Sequence, residues 1–222
     1  MKIIEVADLS FAYEGAHLAL DHLSLEVQKG STTAILGGNG SGKSTLFLNL
    51  NGVLVPKSGQ IFFAGKAVTF NKRGVQELRR KIGIVFQDPN DQLFAANVAS
   101  DIAFGALNLG LSQAEATARV KKVAKWLEIE ELLERPTHAL SFGQKKRVAL
   151  AGVLVMEPQV IILDEPTAGL DPSGVSEMLK LLTRLKSEMD LTILLSTHEI
   201  DLVPLYADAV YVLNKGKVVL AG

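Results

Sequence analysis

Nine consecutive residues near the start of the chain combine glycine, hydroxyl and ammonium groups in a spacing suited to binding an anion. They read Gly37-Gly38-Asn39-Gly40-Ser41-Gly42-Lys43-Ser44-Thr45. Glycines permit backbone conformations in which successive N–H groups point toward one polyphosphate, and a helix N-terminus adds partial positive charge. We expect Lys43 to reach the β- and γ-phosphates of a nucleotide and the Ser44 hydroxyl to hold Mg²⁺. The run therefore predicts a nucleotide-binding loop completed by Asn39, Ser41 and Thr45.

A second chemical signal is a pair of adjacent carboxylates, Asp164 and Glu165, which follows the apolar run Val160-Ile161-Ile162-Leu163. Unpaired charges at the end of a buried strand are costly unless a cation or a reaction uses them. Side chains alternate along a strand, so we expect the two carboxylates to have different roles. We assign Asp164 to the magnesium shell and Glu165 to the attacking water as general base, a role that contributes about 10²–10⁴-fold. The alternative is a pair of acidic residues at the start of an exposed loop.

The elements that flank these residues must position them. Residues 33–36 form an apolar run that predicts a strand leading into the glycine loop, and residues 46–50 predict a helix after it. A phosphate-binding loop requires this order of strand, loop and helix. A chance glycine turn with the same spacing is expected in roughly one chain in a hundred of this length.

Strand and helix patterns alternate along the rest of the chain. Apolar or alternating runs predict strands at residues 3–13, 23–27, 60–64, 81–86, 160–163, 192–195, 209–213 and 217–220. Helices are predicted at 73–80, after the capping box Ser112-Gln113-Ala114-Glu115, at 142–156 and at 173–188. The pattern predicts an α/β fold with a mostly parallel sheet, an antiparallel β portion at the N-terminus and a helical insert. We predict one domain over 1–222, with 1–89 and 158–222 as the nucleotide-binding core and 90–157 as the helical part.

Composition limits the classes of function. The chain has 222 residues, 48% of them hydrophobic, which is enough for a substantial core. Its formal net charge is −1, and it has no long charge block, so a nucleic-acid surface is not predicted. The short basic runs 79–81 and 145–147 are interpreted as solvated helix faces. The absence of cysteine excludes disulfides and thiolate metal sites, and no apolar run approaches the ~20 residues needed to cross a bilayer.

Five further motifs, taken with the two above, resemble those of the nucleotide-binding subunits of ATP-binding-cassette (ABC) transporters. They are Tyr13 as the adenine-stacking aromatic, Gln87 as the Q-loop, Leu140-Ser141-Phe142-Gly143-Gln144 as the signature LSGGQ, Ala168-Gly169-Leu170-Asp171 as the D-loop and Ser196-Thr197-His198-Glu199 as the switch-histidine segment. The motifs follow the order of the family. Taken alone, Tyr13, Gln87 and His198 would each more often be structural residues, so their assignment depends on the joint order.

The resemblance implies an ATPase that binds Mg-ATP between two copies of itself, or between itself and a homologue. In the family, one chain's phosphate loop and its partner's signature residues, here Ser141, Phe142, Gly143 and Gln144, close over a single ATP. His198 is expected to sense the γ-phosphate, Gln87 to contact the magnesium or the attacking water, and Asp171 to serve in the D-loop. Phe142 departs from the family, because it stands where the first glycine of LSGGQ is usual and makes the backbone less permissive.

Residues 88–94 and 98–105 are similar to those of energy-coupling-factor importers, in particular the cobalt-type ATPases. The resemblance implies a peripheral protein on the cytoplasmic face of the cell membrane, in contact with integral membrane subunits through residues 87–107. The transported substrate is not expected to touch this chain. In that segment we expect Leu93 and Phe94 to line a groove for the membrane partner, and Val98 and Ile102 to pack in the core.

Three alternatives remain open from the sequence. One is a soluble cassette ATPase that acts on nucleic acid or the ribosome. Another is an energy-coupling-factor ATPase for nickel or a vitamin instead of cobalt. The third is a nucleotide-binding regulator without turnover, which the presence of Glu165 and His198 disfavours.

Overall fold

The computed structural model describes residues 1–15 and 17–222 and has ten strands in these ranges. They are β1 (Lys2–Ala12), β2 (Leu18–Gln28), β3 (Thr32–Leu36), β4 (Ser58–Phe63), β5 (Lys66–Ala67), β6 (Ile82–Val85), β7 (Val160–Leu163), β8 (Thr192–Ser196), β9 (Ala209–Asn214) and β10 (Lys217–Ala221). The α-helices are α1 (Lys43–Leu50), α2 (Lys72–Lys81), α3 (Val98–Asn108), α4 (Gln113–Leu127), α5 (Phe142–Leu154) and α6 (Pro172–Met189). Short 3-10 helices cover Pro89–Asp91, Glu130–Leu132, Thr137–Ala139 and Ile200–Leu205.

A four-stranded antiparallel sheet occupies the N-terminal part, in the order β2-β1-β4-β5. Strand β2 is longer than the alternation of residues 23–27 predicts, since it begins at Leu18. His22 interrupts the alternation: its backbone is left-handed, with φ +52°, and the pairing of β2 with β1 shifts register close by. The short β5 is also absent from the prediction. Its two residues are exposed, so they carry no hydrophobic pattern.

The second sheet has six strands in the order β10-β9-β3-β8-β7-β6. All neighbouring pairs from β9 to β6 are parallel, and β10 pairs antiparallel with β9 at one edge. Every residue of β3, β7 and β8 is buried, as expected for strands covered on both faces. The mostly parallel sheet is therefore confirmed. Because the carboxyl ends of parallel strands meet at one edge, the residues that follow β3, β7 and β8 lie close together.

Two apolar clusters cover the two faces of this sheet. One joins the inward residues of the antiparallel sheet to α1 and to sheet residues such as Ile162 and Leu194. The other joins α3, α4, α5 and α6 to residues such as Ile161 and Leu195, which alternate with the first set along the same strands. Helices α3 to α5 fall within residues 90–157, where the sequence predicts the helical part. In the described residues, no helix is both long and apolar enough to cross a membrane.

Candidate active site

The glycine loop lies between the end of β3 and the start of α1, as the sequence predicts. Gly42 is the residue before α1 and has φ +110°, and a Cβ there would lie 2.7 Å from the Ala19 carbonyl oxygen. Gly37 has φ +152°, and its Cβ would lie 2.4 Å from the Leu213 carbonyl oxygen. Both positions thus require glycine for conformation and for space. By contrast, a Cβ at Gly38 would meet no described atom within 4 Å.

Two side chains of the glycine loop, those of Lys43 and Ser41, have hydrogen-bonding capacity that an anion could use. Lys43 is buried, and its Nζ donates to the carbonyl oxygens of Gly37 at 2.8 Å and Gly38 at 3.3 Å. An ammonium has three donors, so these two contacts leave one for a phosphate oxygen. The buried Ser41 Oγ has no hydrogen-bond partner among the described residues. A buried polar atom of this kind is expected to find its partner in a ligand.

Three oxygen-bearing side chains converge beside the loop. Ser44 Oγ donates to Asp164 Oδ2 at 2.6 Å, and Ser196 Oγ donates to Asp164 Oδ1 at 2.6 Å. Asp164 follows β7, Ser196 ends β8 and Ser44 lies in the first turn of α1, so the sheet edge brings them together. Hydroxyl and carboxylate oxygens are the hard ligands that Mg²⁺ prefers, and this ion commonly takes few protein ligands beside water and substrate phosphates. The residues present therefore fit a magnesium ion held by Ser44 and Asp164.

Glu165 is oriented differently from Asp164, because the chain leaves the strand direction between them. Its backbone is left-handed, with φ +49°, a conformation that costs a non-glycine residue about 1–3 kcal/mol. The Glu165 amide donates to Ser196 Oγ at 2.9 Å, and Glu165 Oε1 lies 2.5 Å from His198 Nε2. The Glu165 side chain is 14% exposed and that of His198 is 44% exposed. A carboxylate held in this way can accept a proton from a water molecule beside it.

Gln87 borders the same site from the end of β6. It lines a cleft of about 620 Å³ together with Asp88, Asp164, Phe142 and Gly169. The side chain of Gln87 is exposed, so it is accessible from this cleft. The Q-loop glutamine, the first carboxylate of the acidic pair, one signature residue and the D-loop thus line one opening. Asp171, the last D-loop residue, instead caps α6, since its Oδ1 accepts from the Gly174 amide at 2.7 Å.

The signature segment begins α5. Ser141 caps this helix: its Oγ accepts from the Gln144 amide at 3.3 Å, and the Gln144 side chain accepts from the Ser141 amide at 2.9 Å. Phe142 and Gly143 occupy the first turn. In the described part of the chain, no hydrogen bond or ion pair joins this segment to the glycine loop. Among the described residues of one chain, Ser141 and Lys43 are therefore not joined by a hydrogen bond.

The adenine-stacking candidate, Tyr13, follows β1 and is 46% exposed. Its hydroxyl lies 3.3 Å from Thr45 Oγ1, within the first helical turn after the glycine loop. Phe11 packs edge-on against its ring at 5.0 Å between centroids. An exposed aromatic face beside the loop is thus available to a nucleobase.

Lys146 corrects the interpretation of residues 145–147 as a solvated face. It is only 4% exposed, and its Nζ donates to the backbone carbonyls of Gln87 at 3.2 Å and Glu165 at 3.1 Å. Burial lowers the pKa of the Lys146 ammonium, and the carboxylates of Glu165, Asp88 and Asp164 oppose that shift. A basic triplet alone does not reveal burial. The useful signal is the helical period, because Lys146 shares the inward face of α5 with Leu150.

Ser196 is the other site residue without a role assigned from the sequence. It is fully buried, donates to Asp164 and accepts from the Glu165 amide. A polar residue at the end of the otherwise apolar run Thr192-Ile193-Leu194-Leu195 is the signal that marks it.

Comparisons with known proteins identify the family of the chain. The family model described as ABC transporter matches residues 20–168, more than half of the 222-residue chain. A Clostridium perfringens protein named energy-coupling factor transporter ATP-binding protein EcfA3 is 54% identical over 220 residues, covering 99% of this chain and 77% of its own length.

Two solved structures extend the likeness to the fold. One is CbiO1 from Clostridium perfringens, described as part of the ABC transporter complex CbiONQ, which is 53% identical with a TM-score of 0.92 and covers 100% of this chain and 88% of its own. The other is a dimeric ATP-binding cassette in a post-hydrolysis state bound to ADP and phosphate. It is 26% identical with a TM-score of 0.87, covering 99% of this chain and 97% of its own. The chain therefore belongs to the ABC transporter family of ATPases.

Proposed function

We propose that this ATPase energises a membrane importer of the energy-coupling-factor type, whose cargo is cobalt or a related transition-metal ion. The relative EcfA3 carries the energy-coupling-factor name, and the similar CbiO1 is part of a CbiONQ complex. The observation that carries the membrane role is a groove beside the active site with exposed aromatic side chains. The chain is proposed to lie peripherally on the cytoplasmic face, while the cargo passes through other subunits.

The proposed reaction is in-line attack of water on the γ-phosphate of ATP. Glu165 accepts the proton of the water, His198 contacts the γ-phosphate, and Lys43 with the loop amides stabilises developing charge. Magnesium, when bound at Ser44 and Asp164 with Gln87 beside it, supplies charge neutralisation for the phosphates. The remaining loop residues position the polyphosphate by backbone contacts.

We further propose that the working unit is a dimer, either of two copies or of this chain with a homologue. The support is that Ser141 has no hydrogen bond to its own glycine loop in the described residues, although the family resemblance requires it near an ATP. The similar cassette with ADP and phosphate is dimeric. A partner's Ser141 segment would then complete each site.

The groove proposed for the membrane subunits has a volume of about 450 Å³ and lies between α2, α3, α5 and the segment after β6. Phe94 and Phe104 line it, are 65% and 48% exposed, and pack edge-to-face at 4.7 Å. The buried Asp101 fixes Phe94, because its Oδ2 accepts from the Phe94 amide at 2.9 Å and the Ala95 amide at 2.8 Å. An exposed aromatic pair next to a fixed backbone segment is suited to receive an apolar helix.

The apolar residues of segment 87–107 differ in how deeply they are buried. Val98 and Ile102 are fully buried, as expected. Leu93 is only partly buried and packs against the helical core cluster, so it contributes less to the groove than its sequence position suggests. Phe104, which lies in α3, lines the groove beside Phe94 in place of Leu93.

The double variant Phe94→Asp, Phe104→Asp is expected to abolish co-purification with the membrane subunits while leaving basal ATPase activity within about threefold. Two carboxylates would have to be desolvated in the groove, which costs several kcal/mol without partners. Both side chains are exposed in the free protein, so the fold should persist. Co-purification from solubilised membranes, phosphate release and thermal unfolding are the three measurements.

Val219→Asp is the matched control for this double variant. Val219 is also exposed, at 59%, but lies on β10, the opposite edge of the six-stranded sheet from β6. It should not affect co-purification. Membrane subunits that bind the folded double variant as tightly as the wild type would refute the groove.

Tyr13→Ala is expected to weaken binding of ATP and of GTP alike, by roughly tenfold, because base–aromatic stacking is worth about 1–3 kcal/mol. Tyr13→Phe keeps the ring but loses the contact with Thr45, so its affinities should stay near those of the wild type. Calorimetry with each nucleotide checks both variants. Unchanged affinity in Tyr13→Ala would leave Tyr13 as a packing residue for Phe11.

The identity of the cargo is tested by purifying the ATPase with its membrane partners and analysing bound metals and vitamins. Cobalt in stoichiometric amount supports the proposal. Nickel would keep the proposed class of cargo with a different metal, whereas a vitamin would keep the importer type and change the cargo. Co-purification with ribosomes or nucleic acid in place of membrane proteins would overturn the importer.

A further inference from the structure

Two side chains one helical turn apart on α5, Phe142 and Lys146, contact the catalytic segments of their own chain. We call this pair the α5 clamp. Lys146 reaches the backbone after β7 and after β6, and Phe142 reaches the D-loop. The clamp therefore connects the helix that begins with the signature residues to Glu165 and Gln87.

Lys146 acts on the backbone of the general base. Its Nζ donates to the Glu165 carbonyl at 3.1 Å, and the Ala168 amide donates to the same oxygen at 3.1 Å. Together with the bond from the Glu165 amide to Ser196, these contacts hold Glu165 in its left-handed conformation. The same ammonium holds the Gln87 carbonyl, so one buried charge fixes the backbone on both sides of the cleft.

Phe142 supplies the second half of the clamp. Its ring lies against Gly169, where a Cβ would come within 2.8 Å of Phe142 Cε1. The Lys146 ammonium lies 5.4 Å from the centre of the same ring, within cation–π range. A glycine in place of Phe142, as in the family signature, would have no side chain to make either contact. This chain thus ties its signature segment to its own D-loop.

We propose that Lys146 is a positioning residue through which α5 sets the backbone of Glu165 and Gln87 in the same chain. The inference rests on the proposed dimer, in which the α5 N-terminus contacts the partner's ATP. Closure of that site displaces α5, and the clamp carries the displacement to the base and Q-loop of the other site. Hydrolysis at the two sites is thereby coupled.

The test compares Lys146→Met, Lys146→Arg and the control Lys145→Met. Methionine keeps the length and apolar packing of lysine but removes the charge and the donors. Lys145 is the adjacent, half-buried lysine, and its Nζ donates to Asn90 Oδ1 at 2.8 Å and not to Glu165. For each protein, kcat, KM and the Hill coefficient for ATP are measured by phosphate release, with thermal unfolding as the check on folding.

Lys146→Met is expected to lower kcat by about tenfold or more, because a small misplacement of a catalytic group has effects of this size. KM should change by less than about threefold, since the phosphate loop is untouched. The Hill coefficient should fall toward 1. Lys146→Arg, which retains charge and donors, should recover most of the lost kcat, and Lys145→Met should match the wild type.

A folded Lys146→Met protein with wild-type kcat and Hill coefficient would overturn the proposal, as would a loss that Lys146→Arg does not recover. If Lys146→Met does not fold, Phe142→Ala decides: it removes the ring contacts with Gly169 and with the Lys146 ammonium but keeps the hydrogen bonds of Lys146, and it should lower the Hill coefficient. An unchanged coefficient there would overturn the coupling. A wild-type Hill coefficient of 1 would overturn the coupling between the sites, and the positioning role would then be judged by the kcat of Lys146→Met alone.

Discussion

Replacing Glu165 with glutamine is expected to lower ATP turnover by about 10²-fold or more while ATP affinity stays nearly unchanged. The amide has the size of the carboxylate but cannot accept the proton of the attacking water. The backbone contacts that hold residue 165, to Ser196 and Lys146, do not involve its side chain, so the local structure should persist. Phosphate release gives the turnover, and calorimetry with Mg-ATP gives the affinity.

Glu199→Gln is the matched control, because Glu199 adjoins His198 and also bears a carboxylate near the site. Its Oε2 accepts from Thr167 Oγ1 at 2.6 Å, and glutamine can still accept there. Turnover should remain within about threefold of the wild type, since no proton transfer is assigned to this group. A Glu165→Gln protein that hydrolyses ATP at nearly the wild-type rate would remove Glu165 from the role of base.

Ser141→Arg is expected to reduce turnover by a similar or larger factor, although Ser141 has no hydrogen bond to its own glycine loop in the described residues. In the proposed dimer, arginine would occupy the space where the partner's γ-phosphate is bound. The variant also loses the cap of α5, which costs about 1 kcal/mol. That loss alone is too small to unfold a domain of this size.

Ser112→Arg controls for the lost cap. Ser112 caps α4 in the same reciprocal arrangement, with Glu115 in place of Gln144. The two variants should lose similar stability in thermal unfolding. Only Ser141→Arg should lose activity, and equal effects on turnover would identify Ser141 as a capping residue alone.

The glycine loop and the acidic pair could be predicted from the sequence because their chemistry is local. Conformation at Gly37 and Gly42 is fixed by residue type and neighbouring backbone, and the buried strand before Asp164 is apolar at every position. The parallel sheet then brings these segments together without further information. The same reasoning places Ser141 at a helix start, since its capping box is a local pattern.

Tertiary contacts explain what the sequence could not predict. The burial of Lys146 depends on two backbone carbonyls that lie 59 and 19 residues away along the chain. The contact of Glu165 with His198 joins two strand ends. Likewise, Asp101 in α3 accepts hydrogen bonds from the Phe94 and Ala95 amides. The exposure of Phe94 and the partial burial of Leu93 depend on this contact. Contacts of this kind produce no periodic pattern in the sequence of a short loop.

The composite site between two chains is tested most directly by mixing two inactive variants, Lys43→Ala and Ser141→Arg. In a mixed dimer, the intact glycine loop of one chain meets the intact signature segment of the other, which forms one complete site. Random pairing of equal amounts makes half of the dimers mixed, each with one of its two sites complete, so turnover should rise above that of either variant, to about a quarter of the wild-type value at most when the two sites are coupled. A mixture no more active than the mean of the two separate variants would contradict the account.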